Sequence, residues 1–239
     1  MNLRHRLLRT GWAMLPGRCL LCGLPSLQLR DLCRVCETDM RPPGASCNRC
    51  GAPTLQQRRC EACAVWLPPW QSLQAACSYR EPADLLVTLL KFRRQRAAAR
   101  VMAELMHQRL PPEHWGTLAA PLLVPVPLHR WRQWRRGFNQ CELIGAHLAH
   151  LSGLPLLRRG LRRTLSTRAQ ARLTAQHRHN NLTGAFQGHS ATLRGADCIL
   201  LDDVLTTGAT LAAASQAALL AGANSVHGWI FARTPAPGD

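Results

Sequence analysis

Two sets of residues in this chain have the types and spacing for chemistry: a pair of adjacent carboxylates and an array of paired thiols. The carboxylates, Asp202 and Asp203, follow three aliphatics (Ile199, Leu200, Leu201) that read as a short buried strand. Thr206, Thr207, Gly208, Ala209 and Thr210 then make a small, hydroxyl-rich turn, and an apolar helix is expected from Leu211 to Ala221. In open parallel sheets, ligands sit beyond the carboxyl ends of strands. A loop that opens a helix turns backbone N–H groups outward and suits a phosphate. Glycine lets the backbone come close, and threonine hydroxyls add donors. Carboxylates do nothing for the phosphate itself, but they accept from sugar hydroxyls or hold a bridging magnesium. The competing reading is a buried strand, an acidic turn and a threonine cap. The ordered combination of aliphatics, paired acids and Thr-Thr-Gly-x-Thr favours a sugar-phosphate site.

The thiols form four Cys-x-x-Cys pairs: Cys19/Cys22, Cys33/Cys36, Cys47/Cys50 and Cys60/Cys63. Four thiolates at tetrahedral positions are what zinc takes, and Cys-x-x-Cys presents two of them. Disulfides belong to oxidising compartments. The N-terminal apolar run Gly11–Leu15 is too short for a signal peptide and is broken by Pro16, so a cytoplasmic, reducing location is expected. Two structural zinc ions follow. The first and third pairs are each followed by glycine, which suggests a repeated unit and sequential sites: Cys19, Cys22, Cys33 and Cys36, then Cys47, Cys50, Cys60 and Cys63. An interleaved pairing stays open. Cys77, Cys141 and Cys198 stand in apolar patterns and read as core.

Thirty basic residues against thirteen acidic ones give a formal charge of +17, almost all of it arginine, since Lys91 is the only lysine. Such a balance attracts polyanions, and nucleic acid is the expected partner. No apolar run is long enough to span a membrane. Around these sites the pattern alternates. Strands are expected at Ala75–Tyr79, Leu122–Val126, Leu154–Leu156, Cys198–Leu201 and Ser225–Phe231. Helices are expected at Asp84–Phe92, 97–110 and 140–151. Alternation of this kind predicts an α/β parallel sheet with helices on both faces. The expected divisions are a basic amphipathic segment (1–18), a double zinc ribbon (19–67) and a larger domain (68–239). Trp131 and Trp134 interleave with arginines after the strand at Leu122, and they read equally as stacking platforms or as helix core. Residues 158–181 read as a mobile flap.

The 199–210 segment closely resembles the phosphoribosyl-pyrophosphate (PRPP) signature of type I phosphoribosyltransferases. Pro125-Val-Pro-Leu128 with Arg135-Arg-Gly-Phe-Asn-Gln140, Leu90-Lys-Phe92, and the cysteine array together resemble the ComF/GntX family, which is associated with DNA uptake and with DNA as a nutrient. The resemblance runs from about residue 19 to 233. It implies a type I phosphoribosyltransferase-like sheet in which Asp202 and Asp203 bind the ribose hydroxyls and residues 206–210 wrap the 5′-phosphate. It also implies that Val126, Pro127 and Leu128 form the pyrophosphate turn. Arg135, Arg136, Asn139 and Gln140 are further candidates for phosphate contacts, as guanidinium forks and amide donors. PRPP with magnesium, single-stranded DNA or another nucleic acid, and DNA-uptake proteins are the implied ligands and partners. Two readings of the activity follow: a magnesium-dependent transferase with an unknown acceptor, or a non-catalytic PRPP-sensing or DNA-binding protein.

Overall fold

The computed structural model describes residues 17–26, 30–52, 54, 60–110, 115–164 and 184–234. The N-terminal segment up to residue 16 and the flap reading for 165–181 lie outside the described residues. The elements in chain order are β1 (Gly17–Arg18), β2 (Pro25–Ser26), α1 (Arg34–Asp39), α2 (Glu61–Val65), β3 (Ser72–Ser78), α3 (Ala83–Lys91), α4 (Ala97–Arg109), β4 (Pro121–Pro125), α5 (Arg130–Arg136), α6 (Gln140–Ser152), β5 (Leu161–Arg163), β6 (Phe186–Gly188), α7 (Ser190–Leu193), β7 (Asp197–Leu205), α8 (Ala209–Leu220) and β8 (Ser225–Arg233).

The main sheet has the order β3-β8-β7-β4 and is parallel throughout. Its two faces follow from the alternation of side chains along a strand. Along β7, Ile199 and Leu201 point into a core with α3, α4 and α6, where Leu86, Leu90, Met102, Leu105, Ile144 and Leu148 are buried. Cys198 and Leu200 point into the opposite core, against Leu211, Ala214 and Ala218 of α8. The expected parallel sheet with helices on both faces is what forms.

Four readings change. β7 runs four residues beyond the predicted Leu201, so the acids lie inside a strand that stays paired to β8 as far as Leu205 opposite Arg233. β4 stops at Pro125 opposite Leu201, which leaves the acid-bearing end of β7 unpaired on that side. Leu154–Leu156 makes one isolated bridge from Leu156 to Leu123 and no strand, since Pro155 interrupts it. The β5–β6 ribbon is an addition, too short for period-2 alternation to announce it.

The cysteine-rich segment packs closely on the sheet. Leu32 and Met40 are buried in the first core. Arg30 donates to Gln108 at 2.6 Å, and Arg109 donates to the Glu37 carbonyl at 3.2 Å. On the other side, the edge strand β3 gives its Leu73 and Ser78 N–H groups to the carbonyls of Asn48 (3.1 Å) and Arg41 (3.0 Å). The ribbons thus occupy hydrogen-bonding positions on an edge strand that would otherwise invite another chain.

Candidate functional site

The two acids differ in surroundings. Asp202 is partly exposed, and its Oδ1 accepts from the Asp203 N–H at 2.9 Å and from the Cys141 thiol at 3.4 Å. Burial first, and then the charge of Asp203, push its carboxyl up to about 7. Asp203 is buried, and its Oδ2 lies 2.8 Å from Lys91 Nζ. Burial pulls the Lys91 ammonium down, but the charge and hydrogen bond of Asp203, with the charge of Asp202, together raise it above its ordinary value. Cys141 was expected to be plain core. It is buried, but it also touches Asp202, and burial next to two carboxylates drives its thiol well upward. Neither Lys91 nor Cys141 was placed at the site by spacing, because only the fold brings α3 and α6 to the end of β7. The signals for Lys91 are its being the sole lysine and its place in the Leu90-Lys-Phe92 stretch, and neither ties it to Asp203.

The phosphate-loop candidates lead directly from β7 into α8. Thr206 and Thr207 are exposed, Gly208 and Ala209 are buried, and Thr210 is intermediate. Gly208 precedes the helix at φ +78°, and Thr207 Oγ1 accepts from the Ala209 N–H at 3.5 Å. A Cβ at Gly208 would lie 3.2 Å from Trp70 Cη2. Trp70 in turn donates its indole N–H to the Arg49 carbonyl at 2.6 Å, inside the Cys47–Cys50 knuckle. The phosphate loop, one tryptophan and the second knuckle therefore form a single packed stack.

The second turn follows β4. The Val126 N–H donates to the Leu201 carbonyl at 3.0 Å, and the Val126 carbonyl accepts from Asn139 Nδ2 at 3.1 Å. Asn139 also caps α6 by accepting from the Cys141 N–H at 3.0 Å. Its amide is thus spent on shaping this turn rather than facing solvent. Gln140 is buried and accepts from Arg136 at 2.6 Å, which fixes that guanidinium within reach of the Asp203 charge. Arg135 lies elsewhere, exposed over the Trp131 ring at 5.8 Å. Pro127 and Leu128 line a cleft of about 550 Å³ with Arg130, Arg158, Arg162 and Arg163. Trp131 and Trp134 are 59% and 81% exposed, which removes the helix-core reading of both.

The eight thiols resolve into two sets, Cys19, Cys22, Cys33, Cys36 and Cys47, Cys50, Cys60, Cys63, with all sulfurs of a set within 4.8 Å of one another. The pairing is sequential. Zn–S bonds of about 2.3 Å in a tetrahedron require S···S edges of about 3.8 Å. The observed contacts are 3.7 Å for Cys22–Cys33, 3.9 Å for Cys47–Cys63 and 3.5 Å for Cys50–Cys60. Backbone N–H groups already point at the sulfurs, as from Cys60 to Cys47 at 3.4 Å. Both sets fit structural zinc. For magnesium, the carboxylate oxygens of Asp202 and Asp203 are suitable donors, whereas the Cys141 thiol beside them is not.

Residues 12–64 match the model of the double zinc ribbon domain. The chain is 36% identical over 223 residues to the DNA utilization protein YhgH of Salmonella typhimurium, covering 92% of this chain and 98% of that protein. It is 31% identical over 226 residues to competence protein F of Haemophilus influenzae, covering 90% of this chain and 96% of that one. A solved glutamine PRPP amidotransferase from B. subtilis aligns with 57% of this chain and 26% of its own, at 17% identity and TM-score 0.39. A likeness that partial carries no weight for ligand or activity. Among the described residues, no helix is long and apolar enough to cross a membrane.

Proposed function

Because the chain belongs to the ComF/GntX family, we propose that it binds PRPP at the end of β7 and acts in DNA uptake or in the use of DNA as a nutrient, from the cytoplasm. The observation that carries this reading is the meeting of Asp202 and Asp203, the Gly208-led start of α8, and the cations Lys91 and Arg136 at one sheet edge. The carboxylates accept from ribose hydroxyls, the helix start takes the 5′-phosphate, and the cations offset the charge of the diphosphate. Magnesium, held by Asp202 and the diphosphate oxygens, would supply further charge neutralisation. As a transferase, the chain would exchange the C1′–O bond to pyrophosphate for a C1′–N bond to an acceptor. Its own groups would position and neutralise, with no side-chain nucleophile required.

A second reading, single-stranded nucleic acid as partner, is favoured by the exposed Trp131 and Trp134 beside the arginine-lined cleft. Bases stack on exposed aromatic rings while guanidinium groups track the phosphates.

Calorimetric titration of zinc-loaded protein with PRPP, with and without magnesium, tests the first reading. Micromolar binding supports it, and no binding by folded protein rejects it. Asp202→Asn with Asp203→Asn should abolish PRPP affinity and leave DNA affinity nearly intact; equal loss of both would reject separate sites. Trp131→Ala with Trp134→Ala should weaken oligonucleotide binding about tenfold or more.

A further inference from the structure

Lys91 closes the last turn of α3, and its Nζ reaches Asp203 Oδ2 at 2.8 Å. Its side chain keeps 20% of its exposure, whereas that of Asp203 keeps 4%. The lysine is therefore the cover over this carboxylate. A ribose hydroxyl that donates to Asp203 competes with the ammonium for the same group. The two cations on this flank also differ in freedom. Arg136 is fixed through Gln140 at 2.6 Å. Lys91 is a point charge on four methylenes, able to leave one anion for another without backbone movement. A sugar carrying a diphosphate at C1′ brings its densest negative charge next to the hydroxyls that contest Asp203.

Resting on the sugar-phosphate reading above, we propose that Lys91 is a ligand-binding residue that leaves Asp203 and pairs with the diphosphate of the incoming sugar. It thereby lets the site distinguish a 5-phosphoribosyl diphosphate from ribose 5-phosphate. An ion pair that only neutralises a buried acid would serve both sugars alike.

The test is calorimetric titration of zinc-loaded full-length protein with PRPP and, separately, with ribose 5-phosphate, at constant magnesium. Lys91→Met should weaken PRPP binding about tenfold or more and change ribose 5-phosphate binding by less than about threefold. Lys91→Arg, which keeps the charge, should recover most of the loss. Lys91→Met leaves Asp203 buried without its cation, so Lys91→Met with Asp203→Asn provides a neutral background. Compared with Asp203→Asn alone, it should show the same tenfold loss in the ratio of the two affinities. Equal weakening of both sugars, or of neither, overturns the proposal while leaving the PRPP reading of the site standing. Wild-type protein that binds neither sugar overturns the functional reading itself.

Discussion

Gly208→Ala is the substitution that asks most of the packed stack. Gly208 sits at φ +78°, where an L side chain costs about 1–2 kcal/mol. For a chain of this size each kcal/mol moves Tm by roughly 2–4 °C, so backbone strain alone predicts a fall of roughly 2–8 °C. The new methyl would also stand 3.2 Å from Trp70 Cη2. Trp70 is 2% exposed and pinned to the Arg49 carbonyl at 2.6 Å, so it can retreat only by displacing the knuckle between Cys47 and Cys50. Gly153 is the matched control: it has φ +73°, and a methyl there would meet nothing within 4 Å, so Gly153→Ala carries the backbone cost alone. Thermal melts of zinc-saturated protein should therefore rank wild type above Gly153→Ala, and Gly153→Ala above Gly208→Ala. PRPP titration should show a loss for Gly208→Ala only. Equal melting points and equal affinities for the two variants would refute the claim that Trp70 braces the loop.

Asp202, pushed up to about 7 by burial and the Asp203 charge, favours the folded state most below its unfolded pKa of about 3.9 and loses that contribution as pH rises through 7. Asp202→Asn should therefore flatten the fall in stability between about pH 4.5 and 7 in urea titrations; an unchanged slope would refute the assignment. Asp197, at the start of β7, accepts from Ser225 at 2.6 Å, Asn224 at 2.8 Å and the Ala120 N–H at 3.1 Å. Asp197→Ala strands these donors and should cost about 2–4 kcal/mol in urea unfolding, where a loss below about 1 kcal/mol would contradict the accounting. Atomic emission on freshly purified, reduced protein should find two zinc ions per chain, and Cys63→Ser should lower the count to one and the melting point with it. A count of one or none in the wild type would reject the double ribbon.

What the sequence disclosed was local. The cysteine spacing presents its ligands in pairs, so all eight ligands were legible, and only the choice between sequential and interleaved sites waited for the fold. The acids and the Gly208 turn lie within one strand-loop-helix unit, and they too could be read directly. Lys91, Cys141 and Trp70 could not, because each meets its partner only after α3, α6 or the ribbon has packed against the sheet. Trp131 and Trp134 show the same limit from the other direction: an aromatic among arginines reads equally as core or as surface until the face of α5 is known. Asn139, read as a ligand donor, instead ties the Val126 turn to α6, a use that depends on a carbonyl thirteen residues earlier.

The carbonyls of Arg41 and Asn48 that meet β3 belong to residues made before that strand during synthesis. The ribosome therefore delivers the cover ahead of the edge it protects. A chain translated with metal at hand would meet its own cover first, as soon as β3 emerged. One translated under zinc starvation would emerge with a bare edge, competent to pair with its neighbours on the same message. Zinc supply during translation would thus govern how long one side of β3 stays open, while its other side waits for β8, the last strand to be made.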